Sequence, residues 1–201
     1  LGMLIGAGLG LAGAAMQGLI RNPLAEPGMI GVSGAAALGA VLAIHTGAAA
    51  AFALALPFAA LAGAALAVLL ILMLAGPRGG TLTLILAGVA ISALTGAATS
   101  LVLNLSPNPY AAAEIVFWMM GSLADRSMTH VWLAAPFILA GGAVLLVCGR
   151  GLDALTLGED AAATMGVSVT RLRLAVVLGT AAAVGAATAV AGAVGFVGLV
   201  V

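Results

Sequence analysis

Apolar residues occupy this chain in long unbroken blocks, cut by short polar or proline-bearing segments, with no sustained amphipathic period. A helix rises 1.5 Å per residue, so a charge-free block of about 20 residues crosses a hydrocarbon core about 30 Å thick. Residues 1–20 form one such block. The next charge-free run, 27–77, is too long for one helix and divides near His45, Thr46 and Gly47, predicting spans of about 31–46 and 51–75. Residues 82–105 give a fourth, closed by Asn104, Ser106, Pro107, Asn108 and Pro109, a cluster that favours turns over helix. A fifth covers 131–149 and a sixth 174–201, the last with Gly192, Gly195 and Gly198 predicting a bent, broken or closely packed end. Between the fourth and fifth, residues 110–124 with Glu114, Phe117, Trp118, Met119 and Met120 predict a short amphipathic helix at the outer interface. Aromatic anchoring explains it, and lining of an outer vestibule is the alternative.

Composition agrees that the solvent is lipid. Hydrophobic residues make up 64% of the chain and charged ones 6%, against about 25% charge in a soluble domain. The expected fold class is therefore all-α, a polytopic membrane helix bundle forming a single domain over 1–201. Six arginines balance six acids, so net charge points to neither a nucleic-acid partner nor an acidic substrate. Their placement carries more: with six crossings, Arg21, Arg78, Arg150, Arg171 and Arg173 fall on one side and only Arg126, next to Asp125, on the other. The positive-inside rule makes the five-arginine side cytoplasmic, so the first helix runs inward. No charged leader and cleavage site precede the first block, which reads as a span and not a signal peptide. The chain opens inside one apolar helix and stops inside another, and is expected to be a fragment. Cys148, with no second cysteine, reads as a small core residue.

Small residues suggest where helices touch, since lipid gives no hydrophobic drive between them. Gly88, Ser92, Gly96 and Ser100 repeat every four residues on the fourth span, as do Gly2, Gly6, Gly10 and Ala14 on the first. Both stripes suggest helix contacts, or the border of a substrate path. Gly8, Gly10 and Gly13 spell G-x-G-x-x-G, but inside a spanning block with no preceding strand, so the dinucleotide reading fails. His45 and His130 flank outer helix ends, and no cluster has metal-ligand spacing. No catalytic constellation and no cofactor motif emerges, which disfavours a membrane-embedded enzyme. No carboxylate falls inside a predicted span, which disfavours an ion-coupled carrier. A purely structural, oligomerising membrane protein stays open.

Two polar segments on the cytoplasmic side are the most informative. In Arg21-Asn22-Pro23-Leu24-Ala25-Glu26-Pro27-Gly28, two prolines and a glycine enforce a non-helical turn, flanked by Gln17 and Ser33. Broken backbone at membrane depth survives only within protein or beside a cavity; an ordinary interhelical turn is the alternative. The second segment, 153–169, holds three of the six acids. Glu159 and Asp160 would open a short helix after Gly158, where the helix dipole favours negative charge, and Met165-Gly166 would end it. Leu155, Leu157, Ala161 and Met165 would give it an apolar face, available to a soluble partner or packed back on the membrane domain.

At these residues the chain resembles the permeases of ABC importers for iron siderophores, haem and cobalamin, the type II importers. RNPLAEPGMIGVSGAAALG from Arg21, ILAGVAISAL from Ile85, FWMMGSL from Phe117, LTLGEDAAATMGV from Leu155 and AGAVGFVGLVV from Ala191 resemble family blocks in order and spacing. The resemblance covers essentially the whole chain. It implies a ten-helix permease, of which this piece corresponds to helices two through most of seven. It further implies a second permease copy around a central path, two ATPase subunits on the cytoplasmic face, and a periplasmic substrate-binding protein that delivers the chelate. The chain itself would be no enzyme. Residues 153–170 would hold cytoplasmic coupling helices, with Leu157, Gly158, Glu159, Asp160, Ala161, Met165 and Gly166 meeting the ATPase. Asn22, Pro23 and Leu24 on one cytoplasmic loop, with Thr81 and Thr83 on the other, match the inner gate, although the 79–83 stretch is less polar than some family gate loops. The implied location is the bacterial inner membrane.

Overall fold

The computed structural model describes residues 1–52, 54–76, 79–106, 109–195 and 197. A backbone in lipid must satisfy its own hydrogen bonds, and helices do so within each segment. In chain order they are α1 (Gly2–Ile20), a 3-10 turn (Pro27–Ile30), α2 (Val32–His45), α3 (Ala48–Ala51), α4 (Ala55–Ala75), α5 (Thr81–Asn104), α6 (Pro109–Met119), α7 (Met128–Thr156), α8 (Glu159–Thr164) and α9 (Val169–Ala191). Arg78, Pro107, Asn108 and Gly198, on which sequence expectations fell, lie outside the described residues, as does the end of the sixth block.

Among the described residues five helices are long and apolar enough to cross a membrane: α1, α4, α5, α7 and α9. The second predicted span, 31–46, corresponds to the shorter α2, whose 14 residues reach only about 21 Å. The reason lies where it starts. The 3-10 turn before it crosses α5 in backbone contact: a Cβ on Gly88 would lie 2.6 Å from the Met29 carbonyl oxygen, and one on Gly31 2.8 Å from that of Gly88. Gly31 has φ 76°, a left-handed conformation that favours glycine. Gly88 stands seven residues, about 10 Å, into α5, so α2 begins deep in the bundle and needs fewer residues to reach the far end.

The centre of the bundle is α9, with 78% of its most apolar window buried, against 28% in α5 and in α7. It packs on α7, α4, α1 and α2. Glycines set the closest crossings. A Cβ on Gly39 of α2 would come 2.1 Å from the Ala59 carbonyl oxygen of α4, and one on Gly63 of α4 2.2 Å from that of Ala35 in α2. Gly141 of α7 is comparably close to Gly179 of α9. Backbones in this proximity gain the van der Waals contact that lipid cannot replace.

The small-residue stripes behave differently from their expected role. On α1 the buried side is Ile5, Gly8, Leu9, Ala12, Met16 and Leu19, while Gly2 and Ala14 are exposed. A Cβ at Gly6 would meet nothing within 4 Å. On α5, Gly88 touches the 3-10 turn, whereas Gly96 and Ser100 are exposed. Boundaries also shift. The fifth block grows into α7, 29 residues and about 44 Å long, running through Arg150 and Asp153 well past a membrane's thickness. The sixth block starts earlier, at Val169, and its helix breaks at Gly192, as its glycines suggested. The expected outer helix is α6, with Ile115 fully buried, Tyr110 and Phe117 exposed, and Trp118 packed against the core. His130 serves the start of α7, where its Nδ1 accepts from the Ser127 N–H at 3.3 Å.

Candidate coupling and gate site

The 29-residue α7 ends at Thr156, and the chain then turns sharply. Gly158, at φ 108° and ψ 158°, adopts a conformation that side-chain-bearing residues pay heavily to reach. α8 follows at once, with Glu159 and Asp160 in its first turn beside the positive end of the helix dipole. Met165 and Gly166 end it, and the Val167 N–H donates back to the Ala162 carbonyl at 3.0 Å. The predicted apolar face divides. Leu155 and Ala162 are buried against the rest of the chain and Ala161 is half-buried, whereas Leu157 and Met165 are 69% and 62% exposed. Asp160 and Gly166 share that exposed side.

Glu159 turns the other way. Its Oε1 forms an ion pair with Nη2 of Arg173, in the first turns of α9, at 2.5 Å. The same guanidinium donates from Nε to the Thr81 hydroxyl at 2.9 Å and from Nη1 toward the Gly79 carbonyl at 3.5 Å. The Arg173 side chain is 10% exposed and that of Glu159 43%, so the pair spans the edge of the protein and the cation is the buried member. Two residues assigned separately from sequence, Glu159 to coupling and Thr81 to the gate, therefore meet on one side chain. Sequence reasoning used Arg173 only as a charge in the topology. A signal was available: Arg171 and Arg173 are two apart on a helix and so face different directions. Only one of them can share a helix face with the bundle, and an arginine near a helix N-terminus opposes the dipole unless a carboxylate accompanies it.

Beside Arg173 opens a cleft of about 430 Å³, bounded by Leu72, Ala75 and Gly76 at the end of α4 and by Gly79, Leu174 and Val177. On the inner side of Thr81 a void of about 20 Å³ lies among Met16, Met29, Ile30 and Leu84. This void separates Thr81 from the 3-10 turn.

The segment after α1 forms an Asn-based turn. Arg21 caps α1 at φ 57°, the Leu24 N–H donates to Asn22 Oδ1 at 2.9 Å, and the Ala25 N–H donates to the Asn22 carbonyl at 3.0 Å. Asn22, Pro23 and Leu24 are exposed, Leu24 by 74%, while Ala25 and Pro27 are buried. An apolar tip thus stands out from an anchored base. Glu26 is drawn inward with its neighbours and is half-buried, its carboxylate 3.7 Å from where a Cβ on Gly195 would sit. A count of charge-free spans leaves Glu26 in a surface loop; the non-helical backbone carries it into the bundle. Thr83 is exposed on the first turn of α5. Among the described residues no three His, Cys, Asp or Glu side chains gather as metal ligands would.

Known proteins resemble this chain over essentially its whole length. The model of the FecCD transport family matches residues 1–201. The chain is 39% identical over 201 residues to the cobalamin import system permease protein BtuC of Halobacterium salinarum, covering 100% of this chain and 54% of that protein. It is 38% identical over 200 residues to the ferric enterobactin transport system permease protein FepD of Escherichia coli, covering 98% and 59%. Among solved structures, a metal-chelate type ABC transporter in an inward-facing conformation matches with TM-score 0.88 and 33% identity, over 98% of this chain and 62% of that one. The chain thus spans a little over half the length of these relatives. Its apolar helices make it a multi-pass protein of the inner membrane. With the family model matched from end to end and relatives this close, the chain belongs to the FecCD transport family.

Proposed function

We propose that this chain forms part of the transmembrane permease of an ABC importer that moves a metal chelate from periplasm to cytoplasm, driven by ATP hydrolysis on a partner subunit. The observation that carries the reading is α8: a six-residue helix that directly follows the 29-residue α7, with Leu157, Asp160 and Met165 exposed. Two ATPase subunits would each receive one such helix in a cleft. Closure around ATP would move α8 as a rigid body, a lever action with no chemistry in this chain. Leu157, Gly158, Asp160, Ala161, Met165 and Gly166 would form the docking face, and Glu159 would anchor its inner side.

The gate belongs to the same proposal. Leu24, exposed and apolar on its turn with Asn22 and Pro23, fits closure against the same turn of a second permease copy. Thr81 and Thr83 would border the path at the start of α5. A periplasmic binding protein would choose and deliver the cargo, with ferric siderophore first, then haem and cobalamin. The relatives named for cobalamin and ferric enterobactin support this range.

The test reconstitutes the full-length permease with its ATPase in proteoliposomes and follows uptake of ferric enterobactin, haemin and cyanocobalamin. ATP-dependent uptake of one of these, lost together with ATPase co-purification in Asp160→Arg/Met165→Asp, is the expected result. Uptake that needs no ATP and survives both substitutions would overturn the reading in favour of an ion-coupled carrier.

A further inference from the structure

Arg173 is an arginine that cannot shed its proton and has almost no access to water. Its charge must be matched in place, and the groups that match it come from separate parts of the chain: Glu159 from α8, Thr81 from the first turn of α5, and the Gly79 carbonyl from the turn before it. A planar guanidinium with five donors can bridge such a set, as a lysine ammonium on its flexible stem cannot do with fixed geometry. Were α8 to move while Thr81 stayed, either the ion pair or the hydroxyl contact would break. Removing one partner from a largely buried charge is strongly unfavourable. Movement of α8 without movement of the 79–81 turn is thereby penalised.

The surroundings leave room for that joint movement. The cleft beside Arg173 separates it from the end of α4, so the start of α5 can shift on that side without overlap. On the other side, the void beneath Thr81 is lined by Met16 and Met29, unbranched side chains that adapt to changes of shape. Met29 lies in the 3-10 turn, five residues from Leu24. We propose that Arg173 is a positioning residue that ties α8 to the 79–81 turn, so that α8, the start of α9 and the start of α5 shift as one body. The transport consequence rests on the importer reading above; the mechanical tie does not.

The tie is tested first without ATPase or cargo, by hydrogen exchange on the full-length permease in nanodiscs. Arg173→Met is expected to speed amide exchange about tenfold in both 79–84 and 159–165. Glu159→Gln should act in the same two segments, and adding it to Arg173→Met should contribute little more, as expected of partners in one interaction. Arg171→Met, on an exposed face of the same helix, should change nothing. If Arg173→Met does not fold, Arg173→Lys and Glu159→Gln carry the same comparison. Exchange that rises in 159–165 alone would overturn the tie. With the ATPase present, Arg173→Met should retain ATPase co-purification and hydrolysis while uptake per ATP falls about tenfold, a split that loss of folding alone would not produce. Unchanged uptake per ATP would likewise overturn the proposal. A wild-type protein with no ATP-dependent uptake would instead refute the importer reading, and the exchange result would still decide the tie.

Discussion

At the scale of single residues, the glycines separate into those that hold helices together and those that merely line a surface. Gly39 and Gly63 face each other's helices at distances where a Cβ would overlap backbone oxygen. Backbone cannot rotate away as a side chain tip can, so Gly39→Ala must push α2 from α4, at a cost of about 1–3 kcal/mol or more. Purified Gly39→Ala should melt at lower temperature than wild type in detergent, and Gly6→Ala, with open space around it, should not. A Gly39→Ala variant as stable as the parent would mean that α2 and α4 pack less closely than described. The sequence distinguishes these positions poorly. Gly6 belongs to the more regular stripe, yet Gly39 makes the tighter contact, because periodicity records a face of small residues and not what stands opposite. Arg173 escaped for a related reason: its partners are 14 and 92 residues away along the chain, and no local pattern encodes that distance.

Elements were more legible than their limits. The acidic first turn of α8, its glycine start and its Met-Gly end are local signals, and local hydrogen bonds decide them. The end of α7 was not legible, since counting charge-free residues assumes that a helix stops where it leaves lipid. Arg150 and Asp153 are compatible with helix in water, and α7 continues through both. Leu157 and Met165, exposed at either end of α8, are the apolar anchors the proposed ATPase contact would bury. Their joint replacement by serine should cost the contact about 2 kcal/mol or more, read as ATPase affinity at least about tenfold weaker in a pull-down titration. The permease alone should keep its melting temperature, since neither side chain is part of the core. Undiminished affinity would move the docking face away from α8.

For the whole molecule, the number of crossings follows from which helix ends meet. The void lined by Leu19, Ile20 and Thr81 brings the start of α5 to the same end of the bundle as the end of α1. The chain between Arg21 and Thr81 must therefore leave that end and return, and α4 provides only one of the two passages. The other belongs to α2, too short alone, preceded by a turn already about 10 Å inside. Together these make about 31 Å, close to the thickness of a hydrocarbon core. Six crossings thus persist with five full-length helices, the sixth divided between non-helical backbone and a short helix buried among its neighbours. This division makes the topology testable at Thr46, which follows α2 and is exposed. In a Cys148→Ala background, Thr46→Cys and Glu114→Cys should react with a membrane-impermeant maleimide from the periplasmic side only, and Asn22→Cys and Asp160→Cys from the cytoplasmic side only. If Thr46→Cys instead reacted alongside Asn22→Cys, α2 would not cross. Thr81 would then lie at the opposite end from Ile20, and the void that both line could not exist.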